Sequence, residues 1–115
     1  EIMAKGNAAI KEICGGGIMT CRFTHLYPDG PAPYYTIVAK GQTNKEIEQW
    51  DTIKKIVSKA IIDFGGTITH HHAVGKDHQP YYKQQSSKIF ATTLSAVKNT
   101  IDPKWILNPD VLIER

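Results

Sequence analysis

Several protein classes are excluded by what this chain lacks. It has two cysteines in 115 residues, too few for a disulfide scaffold. Cys14 and Cys21 are separated by a glycine run and the start of a strand, and free thiols are predicted. No apolar run reaches the ~18 residues of a membrane-spanning helix. No basic start followed by an apolar stretch has the form of a secretory signal. There is no repeat of 20–50 residues and no low-complexity tract. Charge of one sign is also scarce: the net charge is +3. Lys54, Lys55 and Lys59 sit among Glu46, Glu48 and Asp51, as on a solvated helix face. The aromatic-glycine signature of RNA-binding sheets is missing, so no nucleic-acid partner is expected.

What is present is ordinary for a folded domain, with 41% apolar and 22% charged residues. The length suits one domain, 1–115, with a modest core. Glu1 is followed by what reads as a helix in progress, so the chain is expected to be a piece of a longer one.

Ile2, Met3, Gly6, Ala9, Ile10 and Ile13 recur at three-to-four spacing and predict an amphipathic helix, stopped by Gly15-Gly16-Gly17. Residues 18–27 alternate, with Met19, Cys21, Phe23, His25 and Tyr27 on one face. Pro28-Asp29-Gly30 is turn chemistry, and Tyr34–Ala39 reads as a second strand closing a hairpin. Thr43-Asn44-Lys45-Glu46 has the form of a capping box. The helix behind it carries a stripe of Ile47, Trp50, Ile53, Val57, Ala60 or Ile61, and Phe64, which is expected to pack on the hairpin. Gly65-Gly66 ends it. Thr67–His71 reads as a short strand and Ala73–Pro80 as a loop broken by Gly75 and Pro80. Residues 82–101 read as one helix burying Phe90, Leu94, Val97 and Ile101. Pro103 and Pro109 then prevent further helix, leaving an extended tail. Trp50 and Trp105 are assigned to the core. The fold class is α+β, a small antiparallel sheet with helices packed on one face.

The strongest chemical feature is His70-His71-His72 within Gly65–Lys76. Alternation along a strand places His70 and His72 on one face and His71 on the other. Three readings stand side by side. The histidines are exposed loop residues without a role; or they bind metal, with His25 and His78 as the further candidates; or they form an imidazole cluster that holds an anion and moves a proton. Gly75 would let backbone approach a ligand closely, and Lys76 would add a positive charge. Tyr34, just after the tight turn, is either a packing residue or a functional phenol.

Together, Thr24–Gly30, Tyr34, Gly66–Lys76, Ile101-Asp102-Pro103 and Ile106–Pro109 resemble the C-terminal part of alkyldihydroxyacetonephosphate synthases. These are FAD-linked proteins of the vanillyl-alcohol-oxidase type. The resemblance covers about residues 18–113. The triplet with its Val-Gly-Lys follow-on belongs to this branch, whereas the Asp-Pro…Asn-Pro tail is shared more widely among FAD-linked oxidases. The resemblance implies a ferredoxin-like part of a cap or substrate domain, with the FAD-binding domain N-terminal and outside this chain. FAD is the implied cofactor, not expected on this fragment alone.

The implied reaction replaces the acyl group of acyl-dihydroxyacetone phosphate by a fatty alcohol, making the ether bond of ether lipids. The implied catalytic residues are Tyr34, His71 and His72. His70, Lys76 and Asn108 are implied to stand near substrate or cofactor, and no metal is expected. The implied partners are a lipid-precursor substrate and the N-terminal FAD-binding domain, with peripheral membrane contact and a homodimer as further expectations. Ala73 replaces a glycine of the animal enzymes, and Pro28-Asp29 and the residues after Lys76 also depart from them. These departures point to a bacterial relative, expected in the cytoplasm (or in the peroxisome for a eukaryotic homologue), for which oxidation of a 2-hydroxy acid is the alternative activity. A non-catalytic binding module is the further alternative.

Overall fold

The computed structural model describes residues 1–115. In chain order the elements are α1 (Ile2–Cys14), β1 (Gly17–Tyr27), β2 (Gly30–Ala39), α2 (Glu46–Asp63), α3 (Gly75–Gln85) and α4 (Lys88–Ile101). Four helices and one two-stranded antiparallel sheet make an α+β chain, as the sequence predicts. It forms two compact units, Glu1–Gly66 and Thr67–Arg115. No helix is long and apolar enough to cross a membrane. Both cysteines are free thiols, Cys14 buried and Cys21 exposed.

The first unit is built on α1. Gly15 ends this helix in the left-handed conformation, φ 68°, and donates its N–H to the Lys11 carbonyl at 3.0 Å. Asn7 ties the helix to the sheet: its Oδ1 accepts from the Met19 N–H at 2.9 Å while its Nδ2 donates to the Met3 carbonyl. Gly6 stands where any Cβ would run into the Met19 sulfur, so the strand lies close against the helix. Ile10, Cys14 and Met19 meet Ile53 and Val57 of α2 in the core, with Tyr35, Ile37 and Ile61 packed at its margin. Thus α1 packs on both α2 and β1, and it, more than α2, carries the contact with the sheet.

The hairpin turns through Pro28 and Asp29, with Tyr27 paired to Gly30. β2 is longer than predicted, beginning at Gly30 instead of Tyr34. A bulge at Thr24 breaks the ladder, since Phe23 faces Pro33 and His25 faces Ala32. The extra residue resets the alternation, so the predicted single face from Met19 to Tyr27 does not continue past Phe23.

Other expectations are corrected. Thr43 does not cap α2: residues 43–45 form a turn, Asn44 is left-handed at φ 66°, and Lys45 occupies the N-cap without a side-chain bond. Gln49 satisfies the backbone there instead, its Oε1 accepting from Gln42 N–H at 2.8 Å. Of the α2 stripe, Ile53, Val57 and Ala60 are buried, whereas Ile47 (83% exposed), Trp50 and Phe64 are exposed. Gln49 and Ser58 are buried in their stead.

The second unit departs further from expectation. Thr67–His71 forms no strand, because no partner strand exists for it. The Ile68 N–H donates instead to Gln85 Oε1 at 3.0 Å. α3 begins at Gly75 and runs through Pro80, so neither residue breaks it. The single helix expected over 82–101 is two, parted where Ser86 and Ser87 adopt extended backbone. Ser87 caps α4 by accepting from Phe90 N–H at 3.2 Å. No residue of α4 is buried; Leu94 is half-buried, and Phe90, Val97 and Ile101 are exposed. Trp105 is buried as expected, and the tail after it bends in turns rather than lying extended.

Candidate active site

The histidine triplet lies in the loop that leads into α3. Thr69 and Ala73 close this loop, the Thr69 hydroxyl donating to the Ala73 carbonyl at 3.1 Å. The same carbonyl lies 3.4 Å from Nδ1 of His78, a residue of the first turns of α3. Ala73 holds φ 62°, a left-handed conformation that a Cβ makes unfavourable by ~1–2 kcal/mol. Two hydrogen bonds on one carbonyl therefore hold a strained residue at the mouth of the loop.

Inside the loop the rings stack in sequence. His70 and His71 meet edge to face with centroids 5.3 Å apart, and His71 and His72 at 4.5 Å. Nδ1 of His70 is 3.0 Å from Nδ1 of His71. The strand alternation predicted to separate His71 from its neighbours is absent, and the three imidazoles form a continuous cluster. All three are exposed. Lys76 is exposed on the first turn of α3. At Gly75, φ 60°, an added Cβ would meet nothing within 4 Å, so the backbone there is open to approach.

Asn108 is exposed in the tail of the same unit, with φ 42°. The two residues before it, Ile106 and Leu107, are held by Asp102, which the sequence marks as part of its Asp-Pro step without a site role. Asp102 is buried after the C-terminus of α4, where a carboxylate is poorly placed for the helix dipole. It is held by other partners. Lys98 Nζ donates to Oδ2 at 2.5 Å, Leu107 N–H donates to Oδ2 at 2.9 Å and Ile106 N–H to Oδ1 at 3.1 Å. The Lys98 ammonium, first, and these two amides hold the Asp102 pKa down at about 2. Lys98 also donates to the Leu107 carbonyl and lies over the Trp105 ring, whose Nε1 donates to Asn99 at 2.7 Å. A signal existed in the sequence, namely Lys98 four residues before the Asp-Pro step.

Tyr34 belongs to the first unit. On β2 it is the direct cross-strand partner of Arg22, whose guanidinium lies 4.7 Å from the ring centroid. Tyr34 is half-buried. Its neighbour Tyr35 faces the core, and burial first, then the nearby Cys21, raises its pKa. Tyr35, Cys14, Ile37, Gln49, Trp50 and Ile53 line an open cavity of about 500 Å³ that holds none of the sequence-predicted site residues.

The second unit carries exposed imidazole nitrogens, a lysine ammonium and an amide, and the first carries the half-buried phenol of Tyr34. Each of these groups can donate a hydrogen bond to a heterocycle edge or an oxyanion. No glycine-rich loop here opens a helix in the manner of a pyrophosphate cradle.

Residues 1–112 match the family of FAD linked oxidases, C-terminal domain, and the chain belongs to that family. Its relatives include an alkyldihydroxyacetonephosphate synthase of Dictyostelium discoideum, 34% identical over 90 residues, covering 78% of this chain and 15% of the relative. The Trypanosoma brucei brucei synthase is 27% identical, over 81% of this chain and 15% of the relative. A glycolate oxidase subunit of Bacillus subtilis is 34% identical, over 80% of this chain and 19% of the relative. The chain therefore spans less than a fifth of the length of these relatives. FAD is the cofactor that the family implies for the full-length protein.

Proposed function

We propose that this chain is the substrate-side portion of an FAD-dependent enzyme of the alkyldihydroxyacetonephosphate synthase type. Such an enzyme exchanges the acyl group of acyl-dihydroxyacetone phosphate for a fatty alcohol. The observation that carries this reading is the cluster His70-His71-His72, three contacting imidazoles in one exposed, pinned loop. Identity alone does not choose between branches, since a synthase and a glycolate oxidase subunit are both 34% identical. The triplet, by resemblance, favours the synthase.

FAD, when bound, would supply a reversible covalent trap for the substrate carbon without net redox change. The chain's own residues handle protons and charge. Tyr34 accepts the proton that leaves the substrate carbon, and the Arg22 guanidinium against its ring holds the side chain in place. His71 and His72 hydrogen-bond the departing acyl carboxylate and exchange a proton with it. Lys76 and Asn108 hold the anionic portion of the substrate or the edge of the cofactor.

The test is exchange of labelled fatty alcohol in the flavin-loaded full-length enzyme. Tyr34→Phe should lower kcat by ~10²–10⁴-fold with flavin content unchanged. Near-normal turnover in that variant would make Tyr34 a packing residue and end this reading. The second reading, oxidation of a 2-hydroxy acid, is favoured by the glycolate oxidase relative. It predicts flavin bleaching by glycolate or D-lactate under anaerobic conditions.

A further inference from the structure

The Arg22 guanidinium lies over the Tyr34 ring, 4.7 Å from its centroid, and makes no ion pair and no hydrogen bond. A ring takes the face of a guanidinium and leaves its planar fork of N–H donors for a carboxylate or phosphate. The surroundings agree in sign. Met19, Tyr35 and Ile37 pack into the core, so Thr20, Arg22, Tyr34 and Thr36 share the opposite face of the hairpin, with Thr20 paired to Thr36 and Arg22 to Tyr34. Neither strand contains a carboxylate. That face offers an incoming group a guanidinium, a phenol and two hydroxyls, and no anion to repel it. The exposed lysines Lys55 and Lys59 of α2 differ, each being paired to an aspartate of its own helix.

We propose that Arg22 binds the anionic group of the substrate and so sets the reacting carbon at Tyr34. The inference rests on the proposed role of Tyr34 as the group that takes the proton. In acyl-dihydroxyacetone phosphate, one three-carbon unit carries both the carbon that loses its proton and the phosphate. An arginine that grips the phosphate with two N–H donors while seated on the phenol ring fixes both ends of that unit. The same chemistry serves the carboxylate of a 2-hydroxy acid, which stands on the reacting carbon itself. Lys76 and Asn108 are then left for the edge of the cofactor.

The experiment is titration calorimetry on the flavin-loaded full-length enzyme, with dihydroxyacetone phosphate and glycolate as probes. Arg22→Gln removes the charge and keeps most of the stem. It should weaken binding by ~10–100-fold, the loss of a charge-assisted pair. Arg22→Lys keeps the charge without the fork and should fall between wild type and the Gln variant. The probe that loses affinity identifies the anion held, phosphate or carboxylate. Arg22 is exposed, so the fold should survive, as unchanged flavin content would show; the Lys variant carries the test if the Gln variant loses flavin. A wild-type enzyme that binds neither probe, or an Arg22→Gln enzyme that binds both as wild type does, would overturn the inference. So would a fall in kcat with probe affinity unchanged, which makes Arg22 only a support for the Tyr34 ring. Tyr34→Phe keeps the ring beneath the guanidinium and should bind the probe normally. Normal turnover in Tyr34→Phe together with lost affinity in Arg22→Gln would sink the catalytic reading alone. An inactive Tyr34→Phe enzyme together with normal affinity in Arg22→Gln would sink this inference alone.

Discussion

Lys98 donates to Asp102 at 2.5 Å, and through that pair the last turn of α4 holds the backbone of the tail. Both side chains are largely buried. Asp102 gives its two oxygens to the amides of Ile106 and Leu107, and Lys98 adds the Leu107 carbonyl. The result is a closed knot around Trp105, a left-handed non-glycine residue at φ 55°.

This knot predicts a pH dependence. The folded pKa of Asp102, about 2, lies below its ordinary 3.8. A depressed acid contributes stability that is fully present above the unfolded pKa and is lost as pH falls through the folded one. Asp102→Asn should lower the melting temperature at neutral pH. Its deficit relative to wild type should shrink between about pH 4 and pH 2 and vanish below. A deficit that is constant across that range would show that Asp102 acts by shape and not by charge.

The phase of α2 can be tested with one charge in two places. Val57 is buried and Ile47 is 83% exposed. Val57→Asp buries an unpaired carboxylate and should cost several kcal/mol, ~3 or more, against a total stability of ~5–15. Ile47→Asp should change stability by no more than ~0.5 kcal/mol. Chemical denaturation of the two variants checks both, and equal effects would refute the observed helix phase.

Ala73 gives a test of loop strain. Glycine there removes a left-handed penalty of ~1–2 kcal/mol but adds ~0.4–1 kcal/mol of unfolded-state entropy. Ala73→Gly should therefore be neutral or stabilising by up to ~1.6 kcal/mol. A loss of more than that on denaturant unfolding would mean that Ala73 packs through its methyl group.

Catalytic coupling is read from His72→Ala in the flavin-loaded full-length enzyme. Alone it should cost ~10²–10⁴-fold in kcat, like Tyr34→Phe. If the two groups act as one unit, the double variant should lose little beyond the worse single one. Multiplicative losses would separate their roles.

The elements legible in the sequence are those whose causes are local. α1 ends at Gly15 because a glycine takes the left-handed turn there, and the hairpin closes at Pro28-Asp29 because those residues favour a turn. The middle of α2, from Ile53 to Ala60, followed from its periodicity. The histidine triplet was legible as chemistry because three adjacent imidazoles are rare, whatever their backbone does.

Tertiary structure decided the remainder. Thr67–His71 has strand-forming residues, yet strand propensity is realised only against a partner, and the Gln85 side chain takes the Ile68 N–H instead. The bulge at Thr24 resets which residues share a face, a one-residue event that alternation alone cannot register. Trp50 and Ile47 continue the apolar period of α2, but the place against α1 in that turn is taken by Gln49, whose Nε2 donates to the Ile13 carbonyl at 3.1 Å, and they are exposed. Asp102 shows the limit most clearly. Residue type and position say only that a carboxylate follows a helix, where the dipole disfavours it. Its burial, its low pKa and its hold on the tail come from Lys98, Ile106 and Leu107, which are brought around it by the turn at Trp105. Local conformational preferences are written residue by residue; which groups share a buried hydrogen-bond network is set only when the chain folds back on itself.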